Sequence, residues 1–443
     1  MNMLCKALGA LPVLGLSLFL GAFSVGCSAE ADPALLKAPR EVVWKDFLGV
    51  NAHFLWFSPE QYKVQMSRLQ ALGLHWVRVD LHWDRHEPSK ERYRLGELDT
   101  LVEDMRKQKL KSVLYLVGSA PHITTAPSGS PVPDQYPPRD PNVFAHRMVM
   151  LAKRYPSVDA WQIWNEPNLP AFWRPHEDAE GYARLLYPSV KALQKSVPGK
   201  PVVMAGMAYY SQMPVKGGLM LEKLGQFGVQ KLGAIAAYHP YSQQPESDEP
   251  GDNDFILRSQ QLNQMLRGAG LPGIWATEWG WSSYAGPKEH QDIIGDEGQA
   301  DYVLRRLALM SALDFDKVFL FALSDLDSRA GVRDQHYGLL DLQGKPKPVY
   351  QALQRFLQVT GPRLKPADAP QLSKIPKGLY GVAWQRADGK NIWLFWASKD
   401  TSLHLPQVAG AELHDPLSGT RQMLKDADGI RPQAIKHLQM LVW

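Results

Sequence analysis

Three observations predict an α/β chain built as a (β/α)8 TIM barrel with a small C-terminal β-sandwich. Short apolar runs of strand character alternate eight times with helical segments between residues 41 and 360. Two of those runs stop at a glutamate, in Trp164-Asn165-Glu166-Pro167 and in Thr277-Glu278-Trp279. Beyond Pro362 the apolar residues switch to a period of two, which reads as β-hairpins. The expected plan is an export or anchoring segment over 1–27, a tether over 28–40, the barrel over 41–360 and the sandwich over 361–443.

The elements follow in order. Phe47 to Asn51 is a first strand, and Ser58-Pro59 opens a helix that runs to Leu72. Trp76 to Asp80 is the second strand, with a helix from Leu98 to Gln108. Ser112 to Val117 is the third, with a helix from Pro141 to Arg154. The long Pro-rich segment from Ala120 to Pro141 becomes a loop at the barrel mouth. The fourth strand leads into Trp161-Gln162-Ile163-Trp164 and is followed by a helix from Asp178 to Lys195. Pro201 to Ala205, Ala234 to Tyr238, the Ile274 run and Val318 to Phe321 are strands five to eight. Their helices span Leu219 to Phe227, Phe255 to Arg267, Gln299 to Leu313 and Pro348 to Leu357. In the C-terminal part Tyr380, Val382 and Trp384 alternate, Ala387-Asp388-Gly389 turns, and Ile392, Leu394 and Trp396 alternate back. Leu438, Met440 and Val442 form a last strand.

The first residues read as an address. Lys6 precedes an uncharged, Leu- and Gly-rich run that ends near Gly26-Cys27-Ser28. Either Cys27 is lipidated after cleavage, or the run stays as one membrane span. Both place the protein on the periplasmic side of a bacterial membrane. Composition bounds the rest of the chain. With 443 residues, 45% hydrophobic and 21% charged, it has the makeup of a folded soluble body. A net charge of +4 with scattered lysines and arginines gives no ground for nucleic-acid binding. Cys5 and Cys27 are the only cysteines, so the exported body has no disulfide.

An acid at the C-terminal end of a barrel strand sits at the mouth, where barrel enzymes keep their chemistry. Two such glutamates are the minimum equipment of a glycosidase, although each could also be a helix cap or a loop carboxylate. Fourteen tryptophans and sixteen tyrosines suit a carbohydrate site, since flat apolar rings stack on sugar faces as well as filling cores. Trp83, Trp173, Tyr241 and Trp281 lie near mouth loops and could form a row of subsites. Asn51, His53, His122 and Trp281 are candidate sugar contacts. Arg78 either faces Glu278 or pairs with Asp80 inside the barrel, and His239 is either a sugar contact or a satisfied core histidine. Glu87, Asp325 and Asp327 are mouth-side acids read as loop residues. The histidines lack metal-ligand spacing and no Gly-rich phosphate loop follows the first strand, so no metal and no cofactor are expected.

These motifs resemble those of clan A barrel glycosidases, and glycoside hydrolase family thirty-nine most of all. Tyr337-Gly338-Leu339-Leu340-Asp341 and Gly344-Lys345-Pro346-Lys347-Pro348 extend the likeness across nearly the whole barrel. The resemblance implies Glu166 as acid/base and Glu278 as nucleophile of a retaining reaction, with Asn165 on the sugar 2-hydroxyl. It also implies Arg78 beside the nucleophile, and His239-Pro240-Tyr241 as a motif that brings Tyr241 to Glu278. The expected substrate is an exported polysaccharide of mannose, glucose or rhamnose, cut internally during exopolysaccharide biosynthesis, with activity on a biofilm matrix. Partners would be that polysaccharide, its export machinery and the membrane, with the chain a monomer. Two other readings stay open: a non-catalytic polysaccharide-binding or assembly protein, and a transglycosylase.

Overall fold

The structure, a computed structural model, describes residues 32–209, 219–248, 253–287, 292–405, 410–424, 432–435 and 437–443. The segment 1–27 expected to serve export or anchoring, with Cys27, lies outside the described residues, and among those described no helix is long and apolar enough to cross a membrane.

Eight parallel barrel strands follow one another: β1 Leu48–Asn51, β2 Trp76–His82, β3 Lys111–Val117, β4 Ala160–Ile163, β5 Val202–Met204, β6 Ala236–His239, β7 Ile274–Ala276 and β8 Lys317–Leu320. Neighbours in sequence are neighbours in the sheet, and β8 pairs back onto β1 through Val318 opposite Leu48. Between β5 and β6 the ring closes through Ile235, which donates to Val202 O at 2.9 Å and accepts from Met204 N at 2.9 Å. The fifth strand, expected to run unbroken to Ala205, stops at Met204 and resumes as Met207–Ala208 beside Tyr238–His239. Gly206 lies in the break, and a Cβ there would come within 2.0 Å of the His239 ring. The strand bends where a buried imidazole needs the space.

The helices are α1 Pro59–Ala71, α2 Gly96–Lys107, α3 Pro141–Arg154, α4 Ala179–Ser196, α5 Met220–Gln226, α6 Asp254–Gly268, α7 Gly295–Ala312 and α8 Pro348–Thr360. Their starts have local causes. Ser58 and Gln61 form a capping box ahead of α1, Asp140 caps α3 before Pro141, and Asp178 accepts from Gly181 N at α4. Helix α7 begins four residues before the expected Gln299, because Asp296 and Glu297 supply an acidic first turn that apolar periodicity does not reveal.

The C-terminal domain is a sheet whose central hairpin, Leu379–Arg386 with Asn391–Ala397, pairs onward to Gln439–Val442. A two-stranded ribbon, Thr401–His404 with Pro432–Ile435, accompanies it. Here the stretch expected to be a tether is corrected. Ala34–Leu36 is a strand that pairs in parallel with Tyr380–Val382, and Val42–Val43 pairs with Arg363–Leu364. The hairpin's open edge offers unpaired backbone groups, and the apolar Ala34-Leu35-Leu36 segment covers them. Both faces of the hairpin are buried from Leu379 to Trp384. One reason is contact with the barrel, where Tyr380 OH donates to Asn253 Oδ1 at 2.7 Å and Trp396 Nε1 to Glu246 Oε1 at 2.7 Å.

Candidate active site

Strand alternation sorts the barrel interior into layers. Trp76, Val113, Ala160, Val203, Ala237, Trp275 and Phe319 form an apolar floor. Two residues further along the strands the inward positions turn polar: Arg78 on β2, Tyr115 on β3, Gln162 on β4, His239 on β6 and Thr277 just after β7. Gly49 belongs to the floor level of β1, and a Cβ there would press within 2.6 Å of the Phe319 ring. The apolar floor closes the barrel and leaves the polar layer facing the mouth.

Glu166 is held by a strained turn. Trp164 and Glu166 have φ of 74° and 40°, a left-handed conformation that costs non-glycine residues about 1–2 kcal/mol each. The turn is clamped to the segment 206–208. Glu166 N donates to Gly206 O at 3.0 Å, while Asn168 exchanges two hydrogen bonds with Ala208, at 2.7 and 2.9 Å. Trp164 fills the core against Phe144 and Trp173.

Arg78 organises the second carboxylate. Its Nη1 donates to Glu278 Oε1 at 2.6 Å and Asn51 Oδ1 at 2.8 Å, Nη2 to Asn165 Oδ1 at 2.7 Å, and Nε to Gln162 Oε1 at 2.6 Å. The guanidinium stacks 3.8 Å above the Tyr115 ring. Of the two expected partners it takes Glu278, whereas Asp80 pairs with His82 at 3.3 Å. Tyr241 OH donates to the other oxygen of Glu278 at 3.2 Å. Both oxygens of Glu278 therefore accept hydrogen bonds from fixed donors.

His239 links the two acids. Its Nδ1 lies 2.7 Å from Glu166 Oε1 and 3.6 Å from Glu278 Oε2, and its Nε2 lies 2.9 Å from Thr277 Oγ1. Gln162 closes the ring by donating to Thr277 Oγ1 at 3.2 Å and Met204 O at 2.9 Å. Burial pushes the Glu166 carboxyl up to about 8, with Arg78 opposing and Asp334 adding to the rise. Burial pushes His239 down to about 3, Glu278 opposing and Arg78 adding. At neutral pH the site thus holds a protonated Glu166 beside an uncharged imidazole. A neutral imidazole has one donor and one acceptor nitrogen, and the Thr277 hydroxyl can serve either, so His239 can accompany Glu166 in both protonation states.

Several expected sugar contacts are placed elsewhere. Trp281 is buried, with its indole N–H on Ser242 O and Gln243 O at 3.0 and 3.1 Å, so it supports the loop after β6 and offers no face to a ligand. Trp83 and Trp173 are likewise buried, the first donating to Glu87 and the second packed on Trp164 and Tyr182. Asn51 has both ends engaged, since its amide donates to Thr277 O at 3.0 Å while its oxygen accepts from Arg78. It positions Arg78. His122 lies 3.7 Å from Glu87, in a cluster where Arg147 grips Glu87 with two hydrogen bonds of 2.6 and 2.8 Å. Asp325 pairs with Lys347 and Asp327 with Arg329. His53 is half-buried and meets Trp56 and Phe321 edge-on, at 6.1 and 5.3 Å between ring centres. Phe321 continues to Tyr337 at 5.3 Å and Tyr337 to Tyr241 at 6.4 Å, which makes a contiguous aromatic wall from Glu278 outward. Trp56, Phe321, Tyr337, Gln162 and Thr277 are not read as site residues from the sequence, although Gln162, Thr277 and Tyr337 stand in the motifs quoted there. Gln162 carried a signal, because period two from Ala160 points it inward.

Glu166, His239 and Glu278 each present an atom within 4.8 Å of the others, a spacing that could also ligate a metal ion. The Arg78 guanidinium already occupies one side of Glu278, so a divalent ion there would sit beside a fixed cation.

No family model and no curated protein matches the chain. Solved structures do. The fold is similar to a family 39 glycoside hydrolase from the gut symbiont Bacteroides cellulosilyticus WH2, with TM-score 0.68 and 20% identity over 91% of this chain and 82% of that one. It is similar to a monomeric beta-xylosidase from Caulobacter crescentus CB15, with TM-score 0.63 and 16% identity over 94% and 99%. A GH30 endoxylanase from Clostridium papyrosolvens C71 aligns with TM-score 0.59 and 10% identity over 94% and 99%. The chain therefore has the barrel-and-sandwich fold found in glycoside hydrolases of families 39 and 30.

Proposed function

We propose that the chain is a retaining, endo-acting glycoside hydrolase. The observation that carries this reading is the pair Glu166 and Glu278, with oxygens within 4.8 Å and with opposite hydrogen-bond environments. Retaining enzymes keep their carboxyl groups about 5–5.5 Å apart, and inverting ones leave about 6.5–9.5 Å for a water. Glu166 holds the proton that the leaving oxygen needs, and Glu278 presents acceptor oxygens for attack on the anomeric carbon. Glu166 then takes a proton from the water that releases the sugar from Glu278. The Asn165 side chain is anchored through its oxygen, which leaves its amide N–H groups for the sugar 2-hydroxyl.

The substrate we infer is a Psl-like exported polysaccharide of mannose, glucose or rhamnose, cleaved during exopolysaccharide biosynthesis and in a formed biofilm matrix. The aromatic wall from Tyr241 to Trp56 supports a chain longer than a disaccharide. The apolar run ending at Cys27 supports a membrane-held, periplasmic place of action. Proton NMR of the first-formed product from purified polymer, read with product size against time, tests the reading. Retained anomeric configuration and early oligosaccharides of mixed length are expected. An inverted first product rejects the two-glutamate reaction, and steady release of single sugars rejects endo cleavage.

A further inference from the structure

Arg306, on α7, is fully buried, yet no carboxylate lies within ion-pair distance of it among the described residues. Its hydrogen bonds all go to one turn of chain. Nε donates to Pro245 O at 2.8 Å, Nη1 to Pro240 O, and Nη2 to Ser242 Oγ and to Gln244 O at 3.2 Å. The guanidinium carbon lies over the Phe255 ring, 3.4 Å from its centre, and 5.0 Å from that of Trp281. Glu246, Asp248 and Asp254 act on this cation only from beyond ion-pair distance, and burying a cation with no carboxylate in contact is unfavourable unless fixed dipoles replace its water. Here the dipoles are those of the turn that carries Tyr241 between Pro240 and Ser242.

The preceding residue in sequence ties the end of the same turn to the C-terminal domain. Arg305 donates to both oxygens of Glu246, at 3.0 and 2.6 Å, and to Asp301 at 2.9 Å. Trp396, in the C-terminal hairpin, donates to Glu246 Oε1 at 2.7 Å, and Leu438 N to Asp301 Oδ1 at 3.1 Å. A buried polar contact thus joins the C-terminal sheet to Glu246, from which the chain itself runs back through the turn to Tyr241 and its hydroxyl on Glu278.

We propose that Arg306 is a positioning residue that holds the Pro240–Pro245 turn so that Tyr241 stays on Glu278, and that the C-terminal sheet braces this turn from outside through Trp396 and Glu246. The catalytic half of this proposal rests on Glu278 being the nucleophile. The bracing half rests on geometry alone.

The test compares Arg306→Lys and Trp396→Phe with the wild type, in the full chain, by two readouts. The first is turnover of 2,4-dinitrophenyl β-glucoside, β-mannoside or β-xyloside, alone and combined with Tyr241→Phe. Arg306→Lys is expected to lose about tenfold in kcat with KM within about twofold, and Trp396→Phe about threefold. In the Tyr241→Phe background each should add less than about twofold, because the hydroxyl being positioned is gone. Fully additive losses, or a change confined to KM, overturn the positioning role. The second readout is amide hydrogen exchange across residues 240–246. Both variants should speed it selectively, and unchanged exchange overturns the brace. If the wild type turns over neither these glycosides nor the purified polysaccharide, the functional reading fails and exchange still decides the bracing.

Discussion

Glu278→Ala is expected to lower turnover by roughly 10⁵-fold on every glycoside, whatever the leaving group, because no covalent intermediate can form. The loss should leave the fold intact for a physical reason. Alanine leaves Arg78 with Asn51, Asn165 and Gln162 still bound to its guanidinium, so the cation keeps three of its four side-chain partners. Added azide should restore part of the rate by attacking from the vacated side, giving a glycosyl azide of configuration opposite to that of the substrate. Measuring kcat and the anomeric configuration of the azide adduct checks both points. A variant that keeps near-normal turnover would move the chemistry to another acid.

The second large effect belongs to Glu166 and is selective. Glu166→Gln should lose roughly 10³-fold or more on polysaccharide, whose leaving oxygen needs a proton, and much less in the first step with dinitrophenyl glycosides. The pH dependence follows from the raised carboxyl. Burial pushes it up to about 8, so the acid form persists through neutrality and is lost as pH rises past that value. Polysaccharide cleavage should therefore show a basic limb near pH 8 that Glu166→Gln abolishes. The same shift has a stability consequence. A carboxyl bound more tightly to its proton in the folded state contributes stability that is fully present below its ordinary pKa, about 4.3. That contribution is lost as pH rises toward about 8. Unfolding free energies from urea titrations at pH 5 and pH 9 should differ in the wild type by on the order of a few kcal/mol, and differ much less in Glu166→Gln.

The barrel and its two acids were legible because their signals are local. Each strand is an apolar run with a polar end, as in Trp76-Val77-Arg78-Val79-Asp80, and each mouth glutamate terminates one. The roles of neighbouring residues were less legible because they depend on register between distant strands. Trp281 and Trp173 are as aromatic as a sugar platform should be, yet the chain folds over them. Trp56 and Phe321, which stand in no motif and are half-buried, belong to the aromatic wall instead. Asn51 was recognised as a mouth residue, but its engagement by Arg78 and Thr277 O cannot be read from its own strand. Ala34–Leu36 reads as a tether by composition. Only the open edge of a hairpin some 345 residues later makes it a strand. Arg306 lies in an ordinary helix and becomes meaningful once the turn it faces is seen.

In the proposed reaction Glu278 forms a bond to sugar while Glu166 manages the proton. Incubating the wild-type chain with 2,4-dinitrophenyl 2-deoxy-2-fluoro-β-glycosides slows release more than attachment, so the intermediate accumulates, and mass spectrometry of the digested protein locates it. One equivalent of fluorosugar is expected on the peptide carrying Glu278, with slow reactivation when the excess reagent is removed. Inactivation with the label on Glu166 or on any other residue would contradict that reaction.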